Sequence, residues 1–127
     1  MRKGFPRTII KKSKRGGFGL FAAENIPVGA KIIEYVGEKI DLREYRRRTR
    51  FYDSIGFNCL FGLTDQVVID GLVGGNESRF INHSVTKTNV VPIIERSRIW
   101  FYAEKDVKSG EELLFDYGFD PRPKAKR

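Results

Sequence analysis

The chain has 127 residues, 40% hydrophobic and 13% aromatic, which suits one globular domain and excludes a disordered polypeptide. One cysteine (Cys59) and one histidine (His83) exclude an internal disulfide framework and a structural zinc site of the usual kind. No apolar run reaches membrane-spanning length and Met1 to Arg7 lacks a signal peptide's apolar stretch, so no membrane partner and a soluble intracellular protein are expected.

Twenty-four basic against sixteen acidic residues leave a net charge of +8, concentrated in Lys11 to Arg15, Arg43 to Arg50 and Lys124 to Arg127. Such clusters suit an acidic partner, a nucleic acid or a protein riding on one. A solvated basic face explains any single run equally well.

In chain order, residues 1–7 form a basic N-terminal segment and Thr8-Ile9-Ile10 a short strand, followed by a basic turn ending in Gly16-Gly17. Phe18 to Ala23 is a second apolar run, Asn25 to Gly29 a turn, and Ala30 to Glu38 a strand buried on both faces for part of its length. Asp41 to about Tyr52 has the one strong helical pattern. Asp41 and Glu44 form the spacing of a capping box, Leu42, Tyr45, Thr49 and Tyr52 share one face, and Arg43, Arg46, Arg47 and Arg50 share the other.

Phe57 to Leu63 and Gln66 to Asp70 read as a hairpin around Thr64-Asp65, and Gly71 to Ser78 as an irregular loop. Asn89 to Glu95 and Arg98 to Ala103 read as a hairpin turning at Arg96-Ser97, with Pro92 marking an edge strand or bulge. Glu112 to Tyr117 is the last strand, and 121–127 a basic, proline-containing tail expected to be disordered. The fold class is therefore mostly β, several small sheets with one helix. A weak internal echo runs through it: Ala23 to Gly29 leads into a strand ending at Tyr35, and Ala103 to Gly110 into one ending at Tyr117.

Singly, the candidate chemical groups are weak. Asn82, His83 and Ser84 stand together after an apolar Phe80-Ile81 pair and need partners if buried. Ser84, His83 and Asp116 contain the ingredients of a hydrolase triad, but there is no nucleophile elbow and adjacent Ser and His side chains do not readily meet. Gly17-Phe18-Gly19 is too short to specify a phosphate loop, and strand tyrosines such as Tyr35 and Tyr117 are usually packed aromatics.

In order, however, Gly17-Phe18-Gly19, Glu34-Tyr35-Val36-Gly37-Glu38, Gly75-Asn76 with Arg79 to Ser84, and Gly110 to Gly118 form a series that resembles the SET-domain protein lysine methyltransferases. The likeness runs from about Lys11 to Asp120, within a domain of residues 8–120. It implies a SET-domain fold of small β-sheets with a pseudoknot and one short inserted helix. It further implies S-adenosylmethionine as cofactor, S-adenosylhomocysteine as product, and no metal.

By that resemblance Gly17, Phe18 and Gly19 lie along the cofactor, Asn82 and His83 hold its amino-acid and adenine ends, and Tyr117 is the catalytic tyrosine with Tyr35 beside it. Tyr35, Phe115, Tyr117 and Phe119 belong to the substrate-lysine channel. Phenylalanine at 115, where the family carries phenylalanine or tyrosine, implies di- or trimethylation. The implied substrate is a protein with a basic tail, a histone or a histone-like packaging protein. Its setting would be the cytoplasm or nucleoid of a prokaryote, or the nucleus of a eukaryote or host cell.

The pattern also departs from the family. No cysteine cluster follows Tyr117, so the channel lid must come from Phe119, from the tail, or from the partner in a homodimer. Cys59 stands where relatives often carry a tyrosine, Gly74 where an aromatic often precedes Gly75-Asn76, and Val85 where a cysteine often follows Ser84. The rival from another class is a non-enzymatic nucleic-acid-binding β domain, with Phe51, Tyr52, Trp100 and Tyr102 available for stacking.

Overall fold

The computed structural model describes residues 4–56 and 59–122. Thus the start of the expected hairpin (Phe57, Asn58), Met1 to Lys3 and most of the tail (123–127) lie outside the described residues. Strands dominate, with one α-helix. They form four small sheets, as the alternation of short apolar runs and glycine turns predicts.

β1 (Thr8–Lys12) and β2 (Phe18–Ala22) make an antiparallel ribbon. β3 (Lys31–Tyr35) ends in a break, and β4 (Glu38–Asp41) enters a different sheet. The single strand expected over Ala30 to Glu38 is therefore two. Gly37 is the reason: a Cβ there would collide with the Asp70 carbonyl, so only glycine lets the chain turn between sheets at this point.

β4 pairs with β6 (Val67–Asp70), which pairs in turn with β5 (Leu60–Gly62); the Thr64 hydroxyl accepts from the Gln66 and Val67 amides and holds the turn between them. β8 (Val90–Glu95) and β9 (Arg98–Ala103) form the expected hairpin, and β9 is flanked by β3 on its other side. Arg96 and Ser97 both have positive φ (49° and 62°), the backbone that a two-residue hairpin turn needs. Pro92 sits on the edge strand, where its missing N–H costs no ladder bond.

The helix α1 (Leu42–Ile55) begins at the expected N-cap, where the Asp41 carboxylate accepts from the Glu44 amide at 2.9 Å. The Glu44 carboxylate does not reach back to complete a capping box; it accepts from Arg48 at 2.6 Å and also from Arg47. α1 runs three residues past Tyr52 and stops at Gly56, which takes the left-handed conformation (φ 79°).

The most non-local part of the fold surrounds β7 (Asn82–His83) and β10 (Leu114–Phe115), which pair in parallel. The strand expected over Glu112 to Tyr117 is thus only two residues long, because its parallel partner offers only two. Around it the backbone stays bonded on both sides. Toward β2, the Ala22 amide donates to the Glu111 carbonyl and Leu113 to Leu20; toward the segment after β7, Ser84 donates to Phe115 and Asn89 to Leu114. Buried Asn89 adds two amide bonds to Glu112 and Leu114, so no polar group of its side chain is wasted in the core. The C-terminal segment therefore threads between two earlier stretches of chain.

The internal echo also has a structural meaning. Ile26 and Val107 exchange backbone bonds, Gly29 donates to Ala103 while Gly110 donates to Ala22, and the Asp106 and Asn25 side chains each cap an amide of the opposite turn. The two units clasp one another reciprocally. Their apolar residues join one core of Leu20, Ile26, Ile32, Ile33, Phe101, Val107 and Leu113, which sets Tyr35 and Phe115 at its margin.

Candidate active site

Asn82 is fixed by two acceptors, the Phe18 carbonyl at 3.0 Å and the Glu112 carboxylate at 2.7 Å. Both require the amide nitrogen, so its orientation is determined, and Oδ1 has no partner among the described residues. Gly19 must be glycine because a Cβ would enter the Glu112 carboxylate and crowd Asn82. Beside this cluster Gly17 is left-handed (φ 60°) with open space around it, and the Phe18 ring is exposed. An exposed aromatic face, a free amide oxygen and accessible backbone fit a cofactor carrying a cationic amino-acid end.

His83 does its work through the ring. Its Nδ1 accepts the Tyr117 amide proton at 3.0 Å, so that nitrogen carries no proton, and its ring packs against the tyrosine ring at 5.0 Å. The Tyr117 hydroxyl donates to the Ile81 carbonyl at 2.7 Å. Tyr117 is thereby pinned at both ends to the strand that presents Asn82 and His83. Ser84 is buried and its hydroxyl accepts from the Lys87 amide, a turn bond that removes it from any triad.

Tyr35, Phe115, Tyr117 and Phe119, the four residues expected at the channel, line one cavity of about 300 Å³ with Phe61 and Ile81. Phe115 stacks on Phe61 (5.8 Å, 9°) and tilts against Tyr117 (4.7 Å). The Tyr35 hydroxyl donates to the Cys59 carbonyl at 2.6 Å, and Gly71 lies so close that a Cβ would stand 2.5 Å from that hydroxyl. Cys59 thus contributes its backbone to the channel tyrosine while its side chain is buried.

Burial first, then the neighbouring Cys59 and Glu112 groups, pushes the Tyr117 phenol up to about 12. Deeper burial raises Tyr35 further. Both are neutral hydroxyls at physiological pH.

Several contributors have partners that no local pattern announces. Glu112 accepts from Ser13 and from Asn82, and its carboxylate fills the space beside Gly19. Arg48, in a run that reads as surface charge, donates to Glu38, Glu44 and the fully buried Asp70, which also accepts from Tyr52 at 2.7 Å. Arg79 and Arg122 both line the cavity. Arg122 grips Asp120 with two nitrogens and donates to the Thr64 carbonyl at 3.2 Å, so Phe119 to Arg122 wall the cavity.

A tyrosine-lined channel set behind an Asn-His pair, on a C-terminal segment threaded through the chain, defines a SET domain. The chain belongs to that family: the family model described as SET domain matches residues 17–118. Among curated relatives, histone-lysine N-methyltransferase EZH2 of Chaetomium thermophilum is 44% identical over 113 residues, 80% of this chain and 7% of that protein. An H3 lysine-4 specific histone-lysine N-methyltransferase of Schizosaccharomyces pombe is 41% identical over 106 residues, 80% of this chain and 12% of that one. Polycomb repressive complex 2 of C. thermophilum, solved in an autoinhibited conformation bound to S-adenosylmethionine, matches with TM-score 0.82 and 39% identity over 91% of this chain and 15% of its own. The chain spans well under a fifth of the length of each relative. Among the described residues no helix is long and apolar enough to cross a membrane.

Proposed function

We propose that this domain transfers the methyl group of S-adenosylmethionine to the side-chain amine of a lysine in a histone or histone-like protein, carrying it to the di- or trimethyl state. The observation that carries this reading is the convergence of Tyr35, Phe115, Tyr117 and Phe119 on one cavity, with Tyr117 bonded directly to the Asn82-His83 strand. Gly17, Phe18, Gly19, Asn82 and His83 would hold the cofactor, which supplies an electrophilic methyl group on a positively charged sulfur and departs as S-adenosylhomocysteine.

The residues of the channel account for the rest. A lysine amine attacks only when neutral, and with a reference pKa near 10.4 neutrality at pH 7 costs about 4–5 kcal/mol. Aromatic walls strip water from the ammonium, and Arg79 adds like charge at the cavity; both favour loss of the proton. Asp120 and Arg122, also at the cavity, neutralise one another.

The Tyr35 and Tyr117 hydroxyls donate to carbonyls, which leaves their lone pairs to accept the amine N–H groups and aim the nitrogen lone pair. Neither is ionised, so the proton leaves to water before transfer rather than to a phenolate.

Radiolabelled methyl transfer to purified histones and whole lysates, with the labelled residue mapped, tests the activity; no label above background with folded, cofactor-binding protein overturns it. Phe115→Tyr tests the methylation state. Its added hydroxyl fills space beside Tyr117, and mass spectrometry is expected to show a shift toward monomethyl product. An unchanged product mixture refutes the assignment.

A further inference from the structure

Adjoining the cofactor residues but distinct from the lysine cavity, Lys11 and Lys12 of β1, Lys14 and Arg15 of the following turn, and Lys87 of the loop after β7 line a second groove, of about 760 Å³. Neither the lysine-channel residues nor Gly17, Phe18, Gly19, Asn82 and His83 line it. Its single carboxylate, Glu112, is already bonded to Ser13 and Asn82.

Several cations elsewhere are paired. Lys31 meets Glu95, Arg47 and Arg48 meet Glu44, Arg98 meets Glu34, and Arg122 meets Asp120. In this groove none of the five cations pairs with a carboxylate among the described residues. Lys11 instead lies over the Phe21 ring (4.7 Å) and Arg15 donates to the His83 carbonyl (3.4 Å). Concentrated, unneutralised positive charge in a concave surface repels itself and focuses a field that attracts anions.

We propose that this groove binds the phosphate backbone of double-stranded DNA, through Lys11, Lys12, Lys14, Arg15 and Lys87. Four of the five come from five consecutive residues at the end of β1 and its turn, and Lys87 joins them from another loop, so the groove gathers several cations, which suits a polyanion better than a single small anion. The choice of DNA among polyanions rests on the histone substrate proposed above: a cationic enzyme repels a basic tail, and contact with the DNA carrying that tail supplies the attraction. Backbone contacts of this kind bind without reading sequence.

The test is fluorescence anisotropy of the full chain with a labelled duplex, comparing Lys12→Glu/Lys87→Glu with Arg43→Glu/Arg46→Glu. The second pair makes the same charge change on the exposed face of α1. Loss of two phosphate contacts is expected to weaken duplex binding about tenfold or more near 100 mM salt and to lower the salt slope by roughly two, for the groove pair alone.

Equal weakening by both pairs, or no weakening by the groove pair, overturns the proposal. So does preference of the parent for phosphatidylserine vesicles or single-stranded RNA over the duplex. Lys12 and Lys87 are exposed, so the fold is expected to survive; should the thermal transition be lost, Lys12→Gln/Lys87→Gln gives the same readout at smaller amplitude. Binding of DNA is measured without methyl transfer. Failure of the enzymatic reading would show separately, as no thermal shift with S-adenosylmethionine.

Discussion

Tyr117→Phe removes one hydroxyl and leaves the ring, which remains packed against His83 and Phe115. The lost bond to the Ile81 carbonyl contributes about 1 kcal/mol to stability, so the variant folds. Its effect on rate is larger. The amine gains charge as the methyl group arrives, and a hydrogen bond to a charging group is worth about 1.5–3 kcal/mol. Losing it lowers kcat roughly 10- to 150-fold.

The discriminating assay is the pH profile between pH 7 and 10. With its phenol pushed up to about 12, Tyr117 is about one part in ten thousand ionised at pH 8, too little for a working base. The rate should rise with pH in parent and variant alike, in parallel, because the titrating group is the substrate lysine. An alkaline absorbance titration should show one tyrosine component near 12 disappear in the variant. If Tyr117→Phe instead flattens the pH dependence, the tyrosine is the general base and the orienting role is wrong.

Arg48→Met leaves the fully buried Asp70 carboxylate without its cation and should cost about 3–5 kcal/mol, a fall in Tm of roughly 10–20 °C by calorimetry. Adding Asp70→Asn should recover part of that loss. Arg122→Ala opens the wall that Phe119 to Arg122 make over the cavity; peptide KM should rise about three- to tenfold while Tm moves little, since the Arg122 ion pair is half exposed. Hydrogen bonds from Arg47 and then Arg48 hold the Glu44 carboxyl at about 2 in the folded protein, below its ordinary 4.5. Its stabilising effect is therefore complete above pH 4.5 and lost as pH falls toward 2, and amide exchange in α1 should accelerate across that window before the β-sheets respond.

What was legible in the sequence is what local chemistry controls. The Asp41 cap, the Arg96-Ser97 turn, the edge position of Pro92 and the basic face of α1 all depend on neighbours within a few residues. The break at Gly37 was not legible, because its cause is the Asp70 carbonyl arriving from another strand. The extra turn of α1 was missed because Asp53 and Ser54 look like loop residues, while Gly56 beyond them supplies the stop.

For the site, ordered motifs pointed to Tyr35, Phe115, Tyr117 and Phe119, which share one cavity, but not to their supports. Glu112 lies inside the last motif with nothing local to show its role, yet it orients Asn82 from thirty residues away. His83 was named for cofactor binding, and the structure adds a ring that holds the Tyr117 amide. No periodicity reveals such a pairing.

The reciprocal clasp of Asn25 to Gly29 with Asp106 to Gly110 has a consequence for how the molecule comes into being. Most of each turn's amides find their acceptors on the other unit, so the first remains an unfinished joint during synthesis until the ribosome has delivered nearly the last of the domain. Closure over so long a stretch is slow relative to helix or hairpin formation. The domain is therefore closed last around its cavity, and a nascent chain cut short before Glu111 lacks the Phe115 to Arg122 wall altogether.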